Sequence, residues 1–382
     1  MLWIHRIHRW TGGFIGLLLA ALGLTGTLLL YEDAWLRATV PHAAEPLVAD
    51  VAATAQHLMA ASSSPTSIIF PTDGFGLFRL SFAGGAGAYA DQSGTIVLRW
   101  TSKWERLELW LFDFHHHLWM GETGATAAGI LALIGLGFVI TGLLLWWRTR
   151  TTFTFRLLPT RLSRFHIIGH HRDLGAVMAP LLLVTLLTGA MLTLRPVADF
   201  LLAPLSPSGT IGTSLAPPKI KGGPLATEFD WRTALQAVRR TYPEAELRTI
   251  SIPTAPGQLV RIRARQATEW LPNGRTIFWF DPADGRLVEV RDAGSLPFAT
   301  RAFNLVYPIH AATVGGVVYK AAMTVAGVAL TLLGTLSVCG FWSYQMRRTA
   351  PGSAVRRPHP GLPPADQRES RGRPGEGGRT PI

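Results

Sequence analysis

The sequence predicts an integral membrane protein: an all-α bundle of four transmembrane helices carrying two extramembrane α+β domains, arranged as an internal duplication. Three observations predict it. Only 16% of the 382 residues are charged and 48% are hydrophobic, against about 25% charged in soluble domains. Four windows contain no charged side chain, Gly12–Tyr31, Gly124–Trp147, Leu174–Leu194 and Ala321–Met346. Each reaches the roughly 20 residues that cross a bilayer core as a helix, and four in one chain argue against buried helices of a soluble protein. Finally, the order helix, long loop, helix occurs twice, over residues 1–150 and again to residue 348.

Residues 1–34 hold the N-terminus and the first transmembrane helix. A basic stretch, Ile4–Trp10, precedes the apolar run, which is the outline of a signal peptide. The run is longer than a usual h-region and passes into Tyr31-Glu32-Asp33-Ala34-Trp35 without an A-x-A site, so it reads as a retained helix.

Residues 35–112 and 196–308 form the two loop domains. Each begins with a helix, Val48–Ala61 in the first and Trp231–Tyr242 in the second. Alternating strands follow, at Ser67–Phe70 and Leu77–Phe82, then at Leu247–Ile252, Leu259–Arg265 and Thr276–Phe280. Both close on a strand, a turn and a strand, Asp91–Val97 and Asp281–Val288, where aspartate and glycine suit the turn. Two small domains are expected, each a helix against a short antiparallel sheet.

Residues 113–148, 166–195 and 309–347 are the second, third and fourth transmembrane helices. Between the second and third runs a basic loop, 149–165. Residues 348–382 are rich in proline, glycine and arginine and build no core, which predicts a disordered tail. The duplication shows in the helices as well. The first helix of each half carries Leu24-Thr25-Gly26 or Leu187-Thr188-Gly189, and the second ends in tryptophan ahead of arginine.

Arginines in short loops set the orientation. Arg148, Arg150, Arg156, Arg161, Arg164 and Arg172 flank the central loop, Arg6 and Arg9 the N-terminus, and Arg347-Arg348 the fourth helix. Both termini are therefore expected in the cytoplasm and both domains outside. The net charge of +12 is mostly this topology signal, and no nucleic-acid partner is expected. Cys339 is the only cysteine, which excludes an intrachain disulfide and a cysteine-ligated cluster.

Nine of twelve histidines stand just before an apolar window: His5, His8, His115, His116, His117, His166, His170, His171 and His310. His8, His117 and His171 each have glycine four residues later, on the same helix face, and His310 has one five later. A flat axial ligand such as a porphyrin would use that room. One such histidine reads as an interfacial anchor, but repetition on all four helices favours ligation. Zinc at His115-His116-His117 lacks a completing carboxylate cluster, whereas bis-histidine haem needs two imidazoles only. Topology pairs His8 with His171 at the cytoplasmic end and His117 with His310 at the outer end, with His5, His116, His166 and His170 as alternates. Two haems are expected. Arg6, Arg9 and Arg172 could hold the inner propionates, and Lys103, Arg106 or Lys320 the outer ones. From His117 to Arg148 is 31 residues, about 46 Å of continuous helix, so His117 would stand above a hydrocarbon core of about 30 Å. Trp100, Trp104 and Trp270, with nearby arginines, are candidate contacts for an external substrate.

The run His5–Gly12, the run Phe114–Gly121, the segment His171–Gly175 and the two strand–turn endings together resemble the PepSY-associated transmembrane proteins. Within that family the likeness is to bacterial inner-membrane ferric-siderophore reductases. The resemblance implies PepSY-like periplasmic domains, two b-type haems and reduction of siderophore-bound Fe(III) to Fe(II) in the periplasm. Electrons would come from a cytoplasmic donor or a membrane quinol, because no nicotinamide fingerprint follows a strand. Transfer would be outer-sphere, without acid–base catalytic residues. His310 departs from the pattern, its glycine falling one position late. Two alternatives compete: a membrane-anchored PepSY protein regulating a periplasmic peptidase, and a siderophore transport component or quinone-linked oxidoreductase.

Overall fold

The computed structural model describes residues 2–47, 51–60, 64–154, 161, 163–207 and 209–349. The expected tail from 350 and much of the central basic loop lie outside the described residues. One compact unit runs to Phe341; a second begins at Trp342, and its described part is the last turns of one helix.

Four helices are long and apolar enough to cross a membrane: α1 (Leu2–Leu29), α5 (Gly121–Trp147), α6 (Arg164–Thr193) and α11 (Gly316–Thr349). The short helices α2 (Glu32–Thr39) and α3 (Val51–Ala60) follow α1, and α4 (Leu107–His117) precedes α5. In the second half α7 (Arg195–Leu202), α8 (Thr210–Leu215) and α9 (Trp231–Thr241) follow α6, and α10 (Phe298–His310) precedes α11.

α1 and α11 come together through small residues. A Cβ on Gly16 would lie 2.8 Å from the Gly334 carbonyl, and one on Gly23 would lie 2.8 Å from that of Gly327. With no hydrophobic drive between helices in lipid, such backbone proximity is what van der Waals packing requires.

The sequence suggested continuous second and fourth membrane helices over 113–148 and 309–347, but each is broken in two. Leu118 and Trp119 adopt positive φ (47° and 61°), as do Ala312 and Gly315 (47° and 77°). A helix cannot continue through this region, so the chain breaks between His117 and Gly121 and again between His310 and Gly316. α4 therefore breaks from α5 and α10 from α11. α5 keeps 27 residues, about 40 Å of helix, in place of the over-long span counted from His117.

The expected pair of small domains is instead one continuous antiparallel sheet, in the order β4-β3-β2-β1-β5-β6-β7-β8. Its strands are β1 (Ser67–Ile69), β2 (Phe78–Ser81), β3 (Gly87–Ala90) and β4 (Ile96–Trp100), then β5 (Glu246–Ser251), β6 (Val260–Arg265), β7 (Thr276–Phe280) and β8 (Leu287–Arg291). β1 pairs with β5 through Ser67↔Ser251, Ile68↔Ile250 and Ile69↔Thr249. Side chains alternate across a strand. Ile68, Phe78, Leu80, Ile250, Ile262 and Phe278 thus share one face, where α3 and α9 cover them with Ala55, Leu58, Leu235 and Val238. The opposite face is turned toward the bundle. There Arg79 of β2 pairs with Glu32 at 2.7 Å and Asp33 at 3.0 Å, at the head of α2. Leu36 of α2 and Val40 just after it pack with Tyr89 and Trp100 in a second core. Trp100 is 5% exposed, so this candidate for substrate contact is a core residue, whereas Trp104 and Trp270 are exposed.

Candidate functional site

At the end of the bundle away from the sheet, His8 on α1 faces His171 on α6 with ring centroids 6.2 Å apart and planes at 81°. Near the sheet, His310 at the end of α10 faces a histidine on α4, again at 6.2 Å, with planes at 41°. The partner there is His115. His117, the expected one, turns away to pair with Asp113 at 3.3 Å. The helix break explains the choice. Once α4 ends at His117 it can lie against α1, and the α4 side chain that meets α1 is His115, whose Cε1 would touch a Cβ on Gly26 at 2.7 Å.

Three of these four rings are held alike. His115 Nδ1 lies 3.2 Å from Thr25 Oγ1, His310 Nδ1 2.9 Å from Thr188 Oγ1 and His8 Nδ1 2.8 Å from Thr141 Oγ1. Each hydroxyl has one proton and donates it to its own helix: Thr25 to the Ala21 carbonyl at 2.8 Å, Thr188 to that of Val184 at 2.6 Å, Thr141 to that of Gly137 at 2.7 Å. The hydroxyl must then accept from the imidazole. This fixes the Nδ1–H tautomer and leaves the Nε2 lone pair free for a ligand or metal, the usual outer-shell arrangement of a ligating histidine. His171 is the exception. Its buried Nδ1 has no hydrogen-bond partner among the described residues.

Each of these threonines is followed by glycine, and the glycine admits the ring. A Cβ on Gly26 would strike His115; one on Gly189 would lie 3.3 Å from His310 Cε1, and one on Gly142 3.6 Å from His8 Cε1. The glycines that matter are thus on the facing helix. Those counted four or five residues after each histidine serve otherwise. Gly12 packs against Ser337, Gly121 begins α5 at φ 59° with open space around it, and Gly315 sits in a turn at φ 77°.

A cavity of about 190 Å³ opens beside the outer pair. Its polar lining includes His115, His116, His310, Tyr307, Thr185 and Glu32, among apolar residues that come mostly from α1, α5, α6 and α11. His116 stacks on Phe112 at 4.2 Å. The remaining alternates stand apart. His5 is exposed, His166 bonds Ser163 at 2.6 Å, and His170 is 7% exposed with Nε2 buried and unpartnered among the described residues. Among the described residues no group of three or more His, Cys, Asp or Glu is gathered for a metal ion; the histidines meet in pairs.

Most of the expected propionate partners are already engaged. Arg172 binds Asp173 at 2.6 Å and Thr152, Lys103 binds Asp113 at 2.5 Å, and Arg106 binds Glu108 at 2.7 Å. Lys320 lies over the Tyr31 ring at 4.7 Å and Arg6 over Trp3 at 5.9 Å. Arg9 is half-buried on α1.

The PepSY-associated TM region matches residues 5–347, from ahead of the first paired histidine to the last turns of α11. The chain belongs to that family. Comparison with curated proteins gives no match. As a PepSY-associated protein it places its histidine pairs, its helix breaks and its sheet within the matched span.

Proposed function

We propose that this PepSY-associated membrane protein is a haem-dependent reductase that passes electrons across the bacterial inner membrane to periplasmic ferric siderophores, releasing iron as Fe(II). The observation that carries the reading is the repeated 6.2 Å histidine pair, one at each end of a four-helix bundle. Two nitrogen–metal bonds of about 2.0–2.1 Å end to end, plus the half-widths of two imidazoles, span about that separation. The donor set also fits: three of the four rings keep Nε2 free, the paired rings stand on facing helices, and no third ligand is gathered at either pair among the described residues. His8 with His171 would hold one b-type haem, and His115 with His310 the other. Bound there, haem iron supplies one-electron transfer.

The chain's own residues would do the rest. Thr25, Thr188 and Thr141 fix the rings, Gly26, Gly189 and Gly142 make room for them, and the apolar wall of the cavity keeps water from the outer pair. The outer cavity reaches Glu32 and Tyr307 at the sheet, where an external chelate can approach. The inner pair lies toward Arg148 and Arg150, whose charge favours the cytoplasmic side and hence a cytoplasmic or quinol electron donor. The sheet order, one half-sheet continued by the other across β1–β5, supports the reading of two PepSY-like units from one duplication.

Haem-replete protein reduced with dithionite should be reoxidised by a ferric siderophore, with ferrous iron collected in a chelator trap. Colourless protein would sink the proposal, and reoxidation by quinones alone would make it a quinone-linked oxidoreductase. Reporters fused after Ser64 and after Gly257 should be active only as periplasmic reporters.

A further inference from the structure

The sheet face turned toward the bundle carries more guanidinium than carboxylate. Across its middle the register aligns Tyr89, Arg79, Ile69, Thr249, Arg263, Ile277 and Arg291 in one row, and Ser251, Arg261 and Trp279 in the next. At the margins the arginines are neutralised: Arg79 by Glu32 and Asp33, Arg291 by Glu289 at 2.5 Å. In the centre they are not. Arg248, in the β5 bulge and 7% exposed, has its nearest carboxylate, Glu246, at 3.8 Å. Arg263 donates to the Gly274 carbonyl, and neither it nor Arg261 has a carboxylate partner among the described residues.

Three buried polar atoms in this centre lack any hydrogen-bond partner among the described residues: Arg248 Nε, Arg263 Nε and Thr249 Oγ1. Thr249 lies directly across the ladder from Arg263. Buried donors are ordinarily satisfied, and a buried charge is ordinarily paired. Burial foremost, then the charges of Arg275 and Arg261, pushes the Arg263 guanidinium below its usual range, with the Glu269 carboxylate offsetting only part of this, so its charge gains from a further counter-ion. The patch adjoins the outer site, since Arg79 is bound to the same Glu32 that lines the cavity of His115 and His310.

We infer that this face is an oxyanion-binding site, with Arg248, Thr249, Arg261 and Arg263 as donors, and that it selects a ferric chelate carrying free carboxylate oxygens. The substrate of the outer site is therefore an anionic chelate rather than a cationic one. This rests on the proposed reductase reading for what the chelate is used for, but not for the anion site itself. Guanidinium and hydroxyl donors converging on one carboxylate give charge-assisted hydrogen bonds, which are shorter and stronger than neutral ones.

The test uses redox-inert probes on the full chain in nanodiscs. Ga(III)–citrate, which is anionic, should bind, and the Arg261→Gln/Arg263→Gln double variant should weaken it at least about tenfold, the loss expected from about one charge-assisted hydrogen bond. Binding of the cationic gallium complex of desferrioxamine B should not weaken. Without ligand, Arg263→Gln should melt no lower than the parent, because it removes a half-buried charge whose Nε has no partner among the described residues; a merely structural arginine would melt lower. Arg261→Gln, at an exposed position, reports independently of folding. Equal Ga(III)–citrate affinity in parent and variants overturns the inference. So does displacement of the chelate by phosphatidylglycerol but not phosphatidylcholine, which would assign the arginines to a lipid headgroup. Ga(III)–citrate bound through the arginines while ferric citrate is never reduced keeps the site and sinks the reductase reading. Ferric chelates reduced regardless of charge, with the variants unaffected, sink the site alone.

Discussion

Thr188 and His310 stand 122 residues apart in the chain, yet the hydroxyl of one lies 2.9 Å from Nδ1 of the other. Because Thr188 spends its proton on the Val184 carbonyl, the ring must donate. The pair sets the ring's tautomer and its aim together.

Replacing Thr188 with valine keeps the shape and removes the acceptor. Loss of such an outer-shell partner typically weakens a metal site about 10–100-fold. Haem transfer from Thr188→Val to a high-affinity acceptor should therefore be faster for one spectral component and unchanged for the other. Equal rates for parent and variant would show that Thr188 does not support a ligand.

His115 and His117 lie on the same short helix with opposite expectations. His115→Ala should remove about one haem equivalent and spare the second, whereas His117→Ala, which loses contacts with Asp113 and the His116 ring but not with His310, should keep both. Haem-to-protein ratios in the two purified variants decide it. The reverse result would restore His117 as the ligand.

Gly26 and Gly189 make a graded pair. A Cβ at Gly26 falls 2.7 Å from the His115 ring and must displace it, while one at Gly189 falls 3.3 Å from His310 and needs only a small shift. Gly26→Ala should abolish the outer spectral component and Gly189→Ala should merely shift its redox midpoint. Equal tolerance of both would mean the rings have slack that the packing does not suggest.

Asp230 caps α9, accepting from the Thr233 backbone at 3.0 Å and its hydroxyl at 2.6 Å. Those bonds hold its carboxyl below the usual range, the side-chain bond foremost. A depressed folded-state value means stabilisation that is full above the unfolded value of about 3.9 and is lost as pH falls through the lower folded value. Asp230→Ala should cost about 1 kcal/mol at neutral pH. Hydrogen exchange in α9 should show that difference shrinking as pH drops below about 4.

Much of this was legible in the residues. Charge-free windows found the four spans because lipid tolerates little else, and the alternating stretches found the strands. His8 with His171 came from topology alone. That His115 rather than His117 faces His310 was not legible, because residue spacing assumes an unbroken helix, and nothing composed of Leu118, Trp119 and Ala312 announces positive φ. The glycine argument looked along each helix when the space was needed across to its neighbour. The Leu-Thr-Gly repeat was visible at Thr25 and Thr188, but its purpose needed the facing histidines. Ile140-Thr141-Gly142 carries the same device unnoticed. Edge pairing between Ser67 and Ser251 left no local trace, so the single sheet looked like two domains.

That central pairing has a consequence for how the chain is made. Ile69 of β1 waits for Thr249 of β5, and the ribosome adds about 5–20 residues per second. Roughly 10–40 s therefore pass, with two more membrane helices threaded in between, before the first half-sheet gains its neighbour. Throughout that interval β1 offers an unpaired backbone edge, the kind of edge that recruits foreign strands. At three residues it is among the shortest strands in the sheet, and its brevity limits what can be captured while the chain is half-born.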